Sequence, residues 1–193
     1  MADTRQNLLH VAARLFAAQG YAATTVDQIA AEAGVNKALV YYYFDSKEHL
    51  YKAVLDAGLA TVSAEIDAAI SGERTAAEKL RAFLRTYVQQ VTARPEVFVI
   101  AFQEIAGTCP VHSEAVPCYY RAAVEALQGL IEEGCARGEF RPLDAETAAH
   151  ALFGMVNSFF LQSAVTQTFF PVERILTTVM DLFLHGAQRE EAP

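Results

Sequence analysis

The chain has 193 residues, of which 53% are hydrophobic, and a formal net charge of −8 at pH 7. This apolar content is ample for the packed core of one or two small domains. The sequence has no apolar run that could span a membrane and no N-terminal signal peptide, and its acidic balance argues against a surface that attracts nucleic acid everywhere.

The first predicted helix covers residues 4–19, with an apolar stripe at helical spacing. We expect this stripe to be buried, and it consists of Leu8, Val11, Ala12, Leu15 and Phe16. Thr25 and Gln28 then have the spacing of a capping box, in which each side chain satisfies a backbone N–H at a helix start. Val26, Ile29, Ala30 and Ala33 continue with helical spacing. A second short helix is therefore predicted after Thr25.

A third helix follows after a tight turn. Gly34 can adopt the positive φ that turns the chain out of a helix, and Asn36 is a good cap for the next one. Val40 and Phe44 share one face of that helix, which leaves the other face free. In a helix-turn-helix the second helix lies in the major groove of DNA, with its N-terminal residues at base edges. The residues predicted to read DNA are Asn36, Lys37, Ala38, Leu39, Tyr41 and Tyr42.

Lys47 is placed unusually, because Ser46 caps a fourth helix and puts this cation in its first turn. The helix macrodipole disfavours a cation there by a few tenths of a kcal/mol. A phosphate would be favoured both by the helix N-terminus and by the lysine. We therefore predict that Lys47 contacts a DNA phosphate, against the alternative of a solvated surface lysine.

Residues 8–55 resemble the DNA-binding domain of the TetR family of transcriptional regulators. The matching positions, in order, are Phe16, Gly20, Tyr21, Thr25, Ile29, Ala30, Ala33, Gly34, Val35, Tyr41, Tyr43, Phe44, Lys47, Glu48 and Leu50. The resemblance implies that Thr25, Tyr43 and Lys47 touch phosphates. It also implies that Lys37, Ala38, Tyr41 and Tyr42 face the bases or the groove.

The rest of the chain is predicted to be helical, with Gly and Pro marking the helix ends. We expect an all-α protein of about nine helices, with a three-helix head at 1–52 and a ligand-binding and dimerisation bundle at 53–193. The fourth helix, 46–70, links the two. The other helices are predicted at 75–93, 95–106, 114–136, 144–167 and 171–185, with a frayed tail from Gly186.

Charge is distributed unevenly between the two parts. Residues 1–57 hold five Lys/Arg and six Asp/Glu, a balance of −1, whereas residues 58–193 hold ten and seventeen, a balance of −7. An acidic body held away from the duplex repels it only weakly, since the Debye length is about 8 Å at physiological salt. A head with almost no net charge is expected to attract DNA only weakly. Two heads must therefore act together.

The last two helices are apolar on more than one face. Their apolar residues exceed the needs of one core, and include Leu152, Phe153, Met155, Val156, Phe159, Phe160, Ile175, Leu176, Val179, Met180, Leu182 and Phe183. A helix that is apolar most of the way round needs a second partner. We expect a homodimer through helices eight and nine, as the TetR resemblance also implies. The alternative is a helix pair fully buried in a monomer.

The body also carries aromatic and sparse polar side chains, the composition of many small-molecule sites. The resemblance implies that an effector of unknown identity binds here and that the heads then move apart. The residues predicted to line the pocket are Phe98, Phe102, Gln103, Tyr119, Tyr120, Met155, Asn157 and Phe159. Gly58, inside the fourth helix, is either a soft point for this movement or a site of close packing.

Cys109, Cys118 and Cys135 are odd in number and irregularly spaced, which indicates a reducing cytoplasm rather than a disulfide framework. Cys109 and Cys118 with His112 match no standard zinc spacing, so neither a metal nor another cofactor is expected. No nucleophile motif or phosphate-binding glycine loop is present, and no catalytic residue is predicted.

The sequence thus predicts a ligand-responsive, DNA-binding repressor whose partners are an operator duplex, a small-molecule effector and a second copy of the chain, with no membrane. The alternative is a helical enzyme or small-molecule carrier with a borrowed helix-turn-helix. Salt-sensitive gel retardation of specific fragments supports the regulator, whereas turnover without DNA binding supports the enzyme.

Overall fold

The computed structural model describes residues 2–72, 74–166 and 170–187. In these ranges the secondary structure is α-helical throughout, without strands. The helices are α1 (Ala2–Ala23), α2 (Val26–Glu32), α3 (Lys37–Tyr43), α4 (Lys47–Ile70), α5 (Ala76–Ala93), α6 (Pro95–Ile105), α7 (Ala115–Ala136), α8 (Ala145–Thr166) and α9 (Val172–Ala187). The predicted all-α class is confirmed, and most helix boundaries agree within two residues. The end of the tail predicted to fray lies outside the described residues.

The N-terminal helix caps form as predicted. The Thr25 hydroxyl accepts the N–H of Gln28 at 3.2 Å, and the Gln28 side chain accepts the N–H of Thr25 at 2.8 Å, which completes the capping box. Asn36 Oδ1 accepts the N–H of Leu39 at 2.8 Å. Ser46 Oγ accepts the N–H of His49 at 3.0 Å. Each cap satisfies a backbone donor that a helix start would otherwise leave without an intrahelical partner.

The first helix is longer than predicted. It continues to Ala23, but Gly20 interrupts it with φ 79° and ψ 167°. Glycine has no Cβ and adopts this positive φ without the clash that other residues would meet. The predicted end at residue 19 is therefore correct for the regular helix, and a last short turn carries the chain on to α2.

The helices form two compact units. The first comprises the chain up to Thr61 together with Ala93–Tyr119, and the second comprises Val62–Thr92 together with the chain from Tyr120. Helices α4 and α7 are continuous through the points where the units divide. The predicted functional boundary after residue 52 lies inside α4 and stays a prediction.

The core of the first unit contains the predicted stripe of α1, of which Leu15 alone is only partly buried. Helix α6 packs directly against α1, which the sequence did not predict. Its apolar residues Val97, Ile100 and Ala101 are buried in the same core as Phe16 and Leu55. The three helices of the predicted head are therefore stabilised by α6, which begins at Pro95, about 50 residues after α3 ends at Tyr43.

The core of the second unit is built on α5. Its apolar residues at helical spacing are all buried, and these are Leu80, Phe83, Leu84, Tyr87, Val88 and Val91. The Tyr87 hydroxyl donates to Asn157 Oδ1 at 2.6 Å, which satisfies a buried polar group, while burial raises the pKa of Tyr87. Helices α8 and α9 pack against each other.

Two further features concern a membrane-spanning helix and a metal-binding cluster, neither of which the sequence predicts. None of the helices in the described residues has the length and apolar composition needed to cross a bilayer. The His, Cys, Asp and Glu side chains of the described residues form no group of three or more that could hold a metal ion. Cys109 is buried, whereas His112 and Cys118 are exposed. These three residues therefore do not gather into a metal site.

Gly58 is a site of close packing. A Cβ at this position would lie 2.7 Å from both γ-carbons of Val97 on α6, closer than unstrained carbon atoms approach. The β-branched Val97 side chain has one strongly preferred rotamer in a helix and has little room to move away. The packing interpretation is therefore favoured over a hinge that swings the head.

We expect Gly58→Ala to destabilise the protein. Overpacking costs about 1–3 kcal/mol and outweighs the gain in helix propensity of about 1 kcal/mol. Gly129→Ala in α7 is the matched control, because a Cβ there has no neighbour within 4 Å. The control should gain up to about 1 kcal/mol in urea unfolding. Equal stabilisation by both variants would contradict close packing at Gly58 and favour the hinge interpretation.

Candidate nucleic-acid interface

Helices α2 and α3 form a helix-turn-helix. The turn contains Gly34 at φ 69°, and the N–H of Val35 donates to the carbonyl of Ala30 at 2.9 Å. Asn7 of α1 holds the turn from outside, since its Nδ2 donates to the Ala33 carbonyl at 3.1 Å. Buried residues of both helices fix their packing, and these are Val26, Ile29, Ala30 and Val40. Tyr43 also packs partly against the core, and the exposed residues of α3 lie on its other side.

The outward face of α3 carries the predicted base-reading residues. Lys37, Ala38, Tyr41 and Tyr42 are exposed, whereas Leu39 is half-buried. Tyr42 is 74% exposed, unusually high for a large aromatic side chain. Asn36 is also exposed, although its side chain is engaged in the helix cap. The structure thus brings these predicted residues together on one short helical surface, and their contacts with bases stay a prediction.

The three residues predicted to contact phosphates lie in different surroundings. Thr25 is exposed at the start of α2, with its hydroxyl engaged in the capping box. Tyr43 is half-buried at the end of α3, with its ring 5.2 Å from the ring of Tyr42. Lys47 is half-buried at the start of α4. Their contacts with DNA also stay a prediction.

Lys47 has intramolecular partners that the sequence did not reveal. Its Nζ donates to the carbonyl oxygens of Tyr21 and Thr24, both at 2.9 Å, and lies 4.1 Å from the centroid of the Tyr21 ring. The structure therefore explains the cation at a helix start without any phosphate. An ammonium has three N–H donors, so one remains for a phosphate.

The Tyr21 ring that contacts Lys47 is itself packed against other aromatic rings. The ring of Tyr21 is 5.8 Å from that of Phe16 and 5.3 Å from that of Tyr51, distances typical of favourable aromatic pairs. Tyr51 is fully buried, and burial raises the pKa of its hydroxyl. Tyr21 and Tyr51 were not among the predicted site residues. Their signal in the sequence is that Tyr21 is itself one of the positions that match the family pattern, and that Tyr51 directly follows another, Leu50.

Lys37 is also paired within the protein. Its Nζ lies 2.9 Å from Asp27 Oδ2, and this hydrogen bond raises the pKa of the lysine. Asp27 lies in the first turn of α2, where the macrodipole favours a carboxylate. Sequence reasoning did not single out Asp27, because contact between residues ten positions apart depends on the angle between α2 and α3.

The residues predicted to bind an effector are divided between the two units. Phe98, Phe102, Gln103 and Tyr119 belong to the first, and the Phe98 and Tyr119 rings lie 6.5 Å apart. Tyr120, Met155, Asn157 and Phe159 belong to the second. In that unit Asn157 accepts from Tyr87, and the Phe159 ring packs 5.3 Å from Phe170. Their role in binding an effector stays a prediction.

Comparison with known protein families identifies both parts of the chain. Residues 8–54 match the family model of bacterial regulatory proteins of the tetR family. Residues 73–161 match the model of the tetracyclin repressor-like C-terminal domain. The chain belongs to the TetR family. This TetR-family chain is a DNA-binding transcriptional regulator, as its helix-turn-helix predicted.

Individual TetR-family relatives match over nearly the whole chain. The transcriptional repressor NicS of Pseudomonas putida is 28% identical and aligns with 96% of this chain and 93% of its own. The crystal structure of PfmR from Thermus thermophilus has a TM-score of 0.78 at 26% identity, covering 94% of this chain and 99% of its own. AibR, solved with isovaleryl coenzyme A and operator DNA, has a TM-score of 0.75 at 23% identity, covering 93% and 97%. The whole fold is thus that of the family, and NicS and PfmR are transcriptional regulators.

Proposed function

We propose that this protein is a homodimeric repressor that holds an operator through two helix-turn-helix heads and leaves it when a small molecule binds the C-terminal helices. The observation that carries the proposal is the outward face of α3, where Tyr41, Tyr42 and Lys37 are exposed beside each other in a family of DNA readers. The repressor NicS and the AibR complex with an acyl-coenzyme A and DNA support this form of regulation.

The proposed DNA contacts follow from position on the head. Residues at the start and outward face of α3 are proposed to reach base edges in the major groove, and these are Asn36, Lys37, Ala38, Leu39, Tyr41 and Tyr42. Thr25, Tyr43 and Lys47 are proposed to contact phosphates and so to fix the register of α3. The head carries no excess of positive charge, so simultaneous binding of two heads is what gives adequate affinity.

The test begins with selection of duplexes from a random library by the purified full chain. A regulator should enrich a two-fold symmetric sequence, with half-sites about 34–36 Å apart or a multiple of that distance. Its affinity should fall as salt rises. Failure to enrich any sequence would contradict the proposed function.

The effector is proposed to be largely apolar, because the predicted pocket residues are mostly aromatic. Acyl-coenzyme A thioesters of increasing chain length are suitable first probes, given the AibR complex. A true effector must weaken operator binding, and the operator must weaken effector binding by the same factor. Retention of the operator at saturating effector would exclude that compound as an inducer.

Substitution of Lys37 should relax sequence preference at one position in each half-site. Lysine can donate to O6 or N7 of guanine, so Lys37→Ala should reduce discrimination at that position by about 1–3 kcal/mol. The measurement compares affinities for operator duplexes that differ at single base pairs. A uniform loss across all duplexes would instead make Lys37 a phosphate contact.

A further inference from the structure

Every lysine and arginine in residues 4–57 has a partner within the protein. Arg5 lies over the ring of Phe44, Arg14 pairs with Glu32, and Lys52 pairs with Glu48. Lys47 donates to two backbone carbonyls, and Lys37 pairs with Asp27. The carboxylates beside Arg14, Lys37 and Lys52 offset the charge of these side chains, whereas the ring beside Arg5 and the carbonyls beside Lys47 do not. Since phosphate attraction depends on cations at the contact surface, these ion pairs reduce the attraction of the head to DNA.

The pair between Lys37 and Asp27 differs from the others by its place. Lys37 is the single charged residue of α3, so its charge dominates the electrostatics of the outward face. Both side chains remain open to water, with 51% of Lys37 and 68% of Asp27 exposed. The Asp27 carboxylate therefore lies at the same surface that is proposed to contact DNA.

A carboxylate at this position separates two properties of the lysine. Attraction to phosphates is long-ranged and independent of sequence, and a carboxylate 2.9 Å away largely cancels it. Hydrogen bonding to a base edge is short-ranged and directional. Asp27 occupies one of the three ammonium donors, so two remain for O6 or N7 of a guanine.

We propose that Asp27 is a specificity-determining residue: by holding Lys37 it suppresses sequence-independent binding while leaving the lysine able to read a base. This inference rests on the proposed DNA-binding function and adds to it. The acidic residue lowers affinity for all DNA, but it lowers affinity for non-operator DNA more. Asp27 therefore increases the ratio of operator affinity to random-sequence affinity.

The decisive variant is Asp27→Asn in the full-length protein. Affinities are measured for the selected operator and for a scrambled duplex of equal length and composition, across a salt series. Freed from Asp27, the Lys37 of each protomer can bind a phosphate of scrambled DNA, so the slope of log K against log salt should steepen by about 1.8. The ratio of operator to scrambled affinity should fall on the order of 2- to 30-fold, the range for two exposed ion pairs.

Two further variants isolate the mechanism. Glu32→Gln removes the same charge from α2 but releases Arg14 of α1, which is outside the predicted contact set, and should leave the ratio nearly unchanged. Lys37→Met should abolish the effect, so that Asp27→Asn no longer alters the ratio in that background. Thermal melts of all variants check that the head remains folded.

The outcomes separate this inference from the proposed function. If the wild-type protein prefers no sequence, the proposed function fails and the inference with it. If the wild-type protein discriminates but Asp27→Asn keeps the same ratio and slope, the inference alone is overturned. It is also overturned if Glu32→Gln lowers the ratio as much, because net charge then explains the effect, or if Asp27→Asn acts equally without Lys37.

Discussion

Lys47→Ala is expected to lower both the stability of the protein and its affinity for every DNA sequence. The substitution removes two hydrogen bonds from a charged donor to the carbonyls of Tyr21 and Thr24. Such bonds contribute about 1.5–3 kcal/mol, so a measurable fall in the free energy of unfolding should follow. Because these bonds tie the start of α4 to the segment before α2, their loss should also loosen the position of Thr25.

The phosphate interaction proposed for Lys47 makes a separate prediction. Because the alanine variant cannot neutralise this phosphate in either protomer, the slope of log K against log salt should become shallower by about 1.8. Urea unfolding measures the effect on stability, and binding across a salt series measures the effect on the slope. A variant that is destabilised but keeps the wild-type slope would show that Lys47 acts within the protein alone.

Lys52→Ala is the matched control for this experiment. Lys52 lies five residues further along α4 and pairs with Glu48 at 2.7 Å on the surface. Exposed pairs of this spacing contribute about 0.3–0.5 kcal/mol, so the control should remain close to wild type in stability. A destabilisation as large as that of Lys47→Ala would contradict the special role of the two carbonyl hydrogen bonds.

Leu182→Glu is expected to dissociate the proposed homodimer and to abolish tight operator binding. Leu182 is 61% exposed on α9, whereas Ile175, Leu176, Val179 and Met180 of the same helix are buried in their own chain. A dimer interface over the exposed face would bury two new carboxylates, one from each protomer. Burial of an unpaired charge is strongly unfavourable, and single heads lose the benefit of simultaneous binding.

Leu182 gives a cleaner test than Phe160, another of the surplus apolar residues of the last two helices. The Phe160 ring lies 5.9 Å from the ring of Tyr87, so a charge there would also damage the protomer. Ile105→Glu is the control, because Ile105 is similarly exposed, at 66%, but lies on α6. The sedimentation coefficient and the operator affinity should change for Leu182→Glu, and both should stay at their wild-type values for Ile105→Glu. A folded Leu182→Glu protein that remains dimeric would refute the placement of the interface.

The sequence by itself determined the features that depend on neighbours along the chain. The capping box at Thr25, the caps at Asn36 and Ser46, and the positive φ at Gly34 involve residues within a few positions of each other. Helical spacing likewise predicted which side of α1 and α3 is buried. The ordered motif across residues 8–55 was specific enough to indicate the family that the comparison then confirmed.

The tertiary structure decided the features that depend on how helices approach each other. Lys47 meets carbonyls 23 and 26 residues away, Lys37 meets Asp27 across a turn, and Gly58 meets Val97 of α6. Each contact is set by a distance or an interhelical angle, and periodicity along the chain carries neither. For the same reason the sequence counted the surplus apolar residues of α8 and α9 but did not distinguish Leu182, which is exposed, from Phe160, which packs on Tyr87.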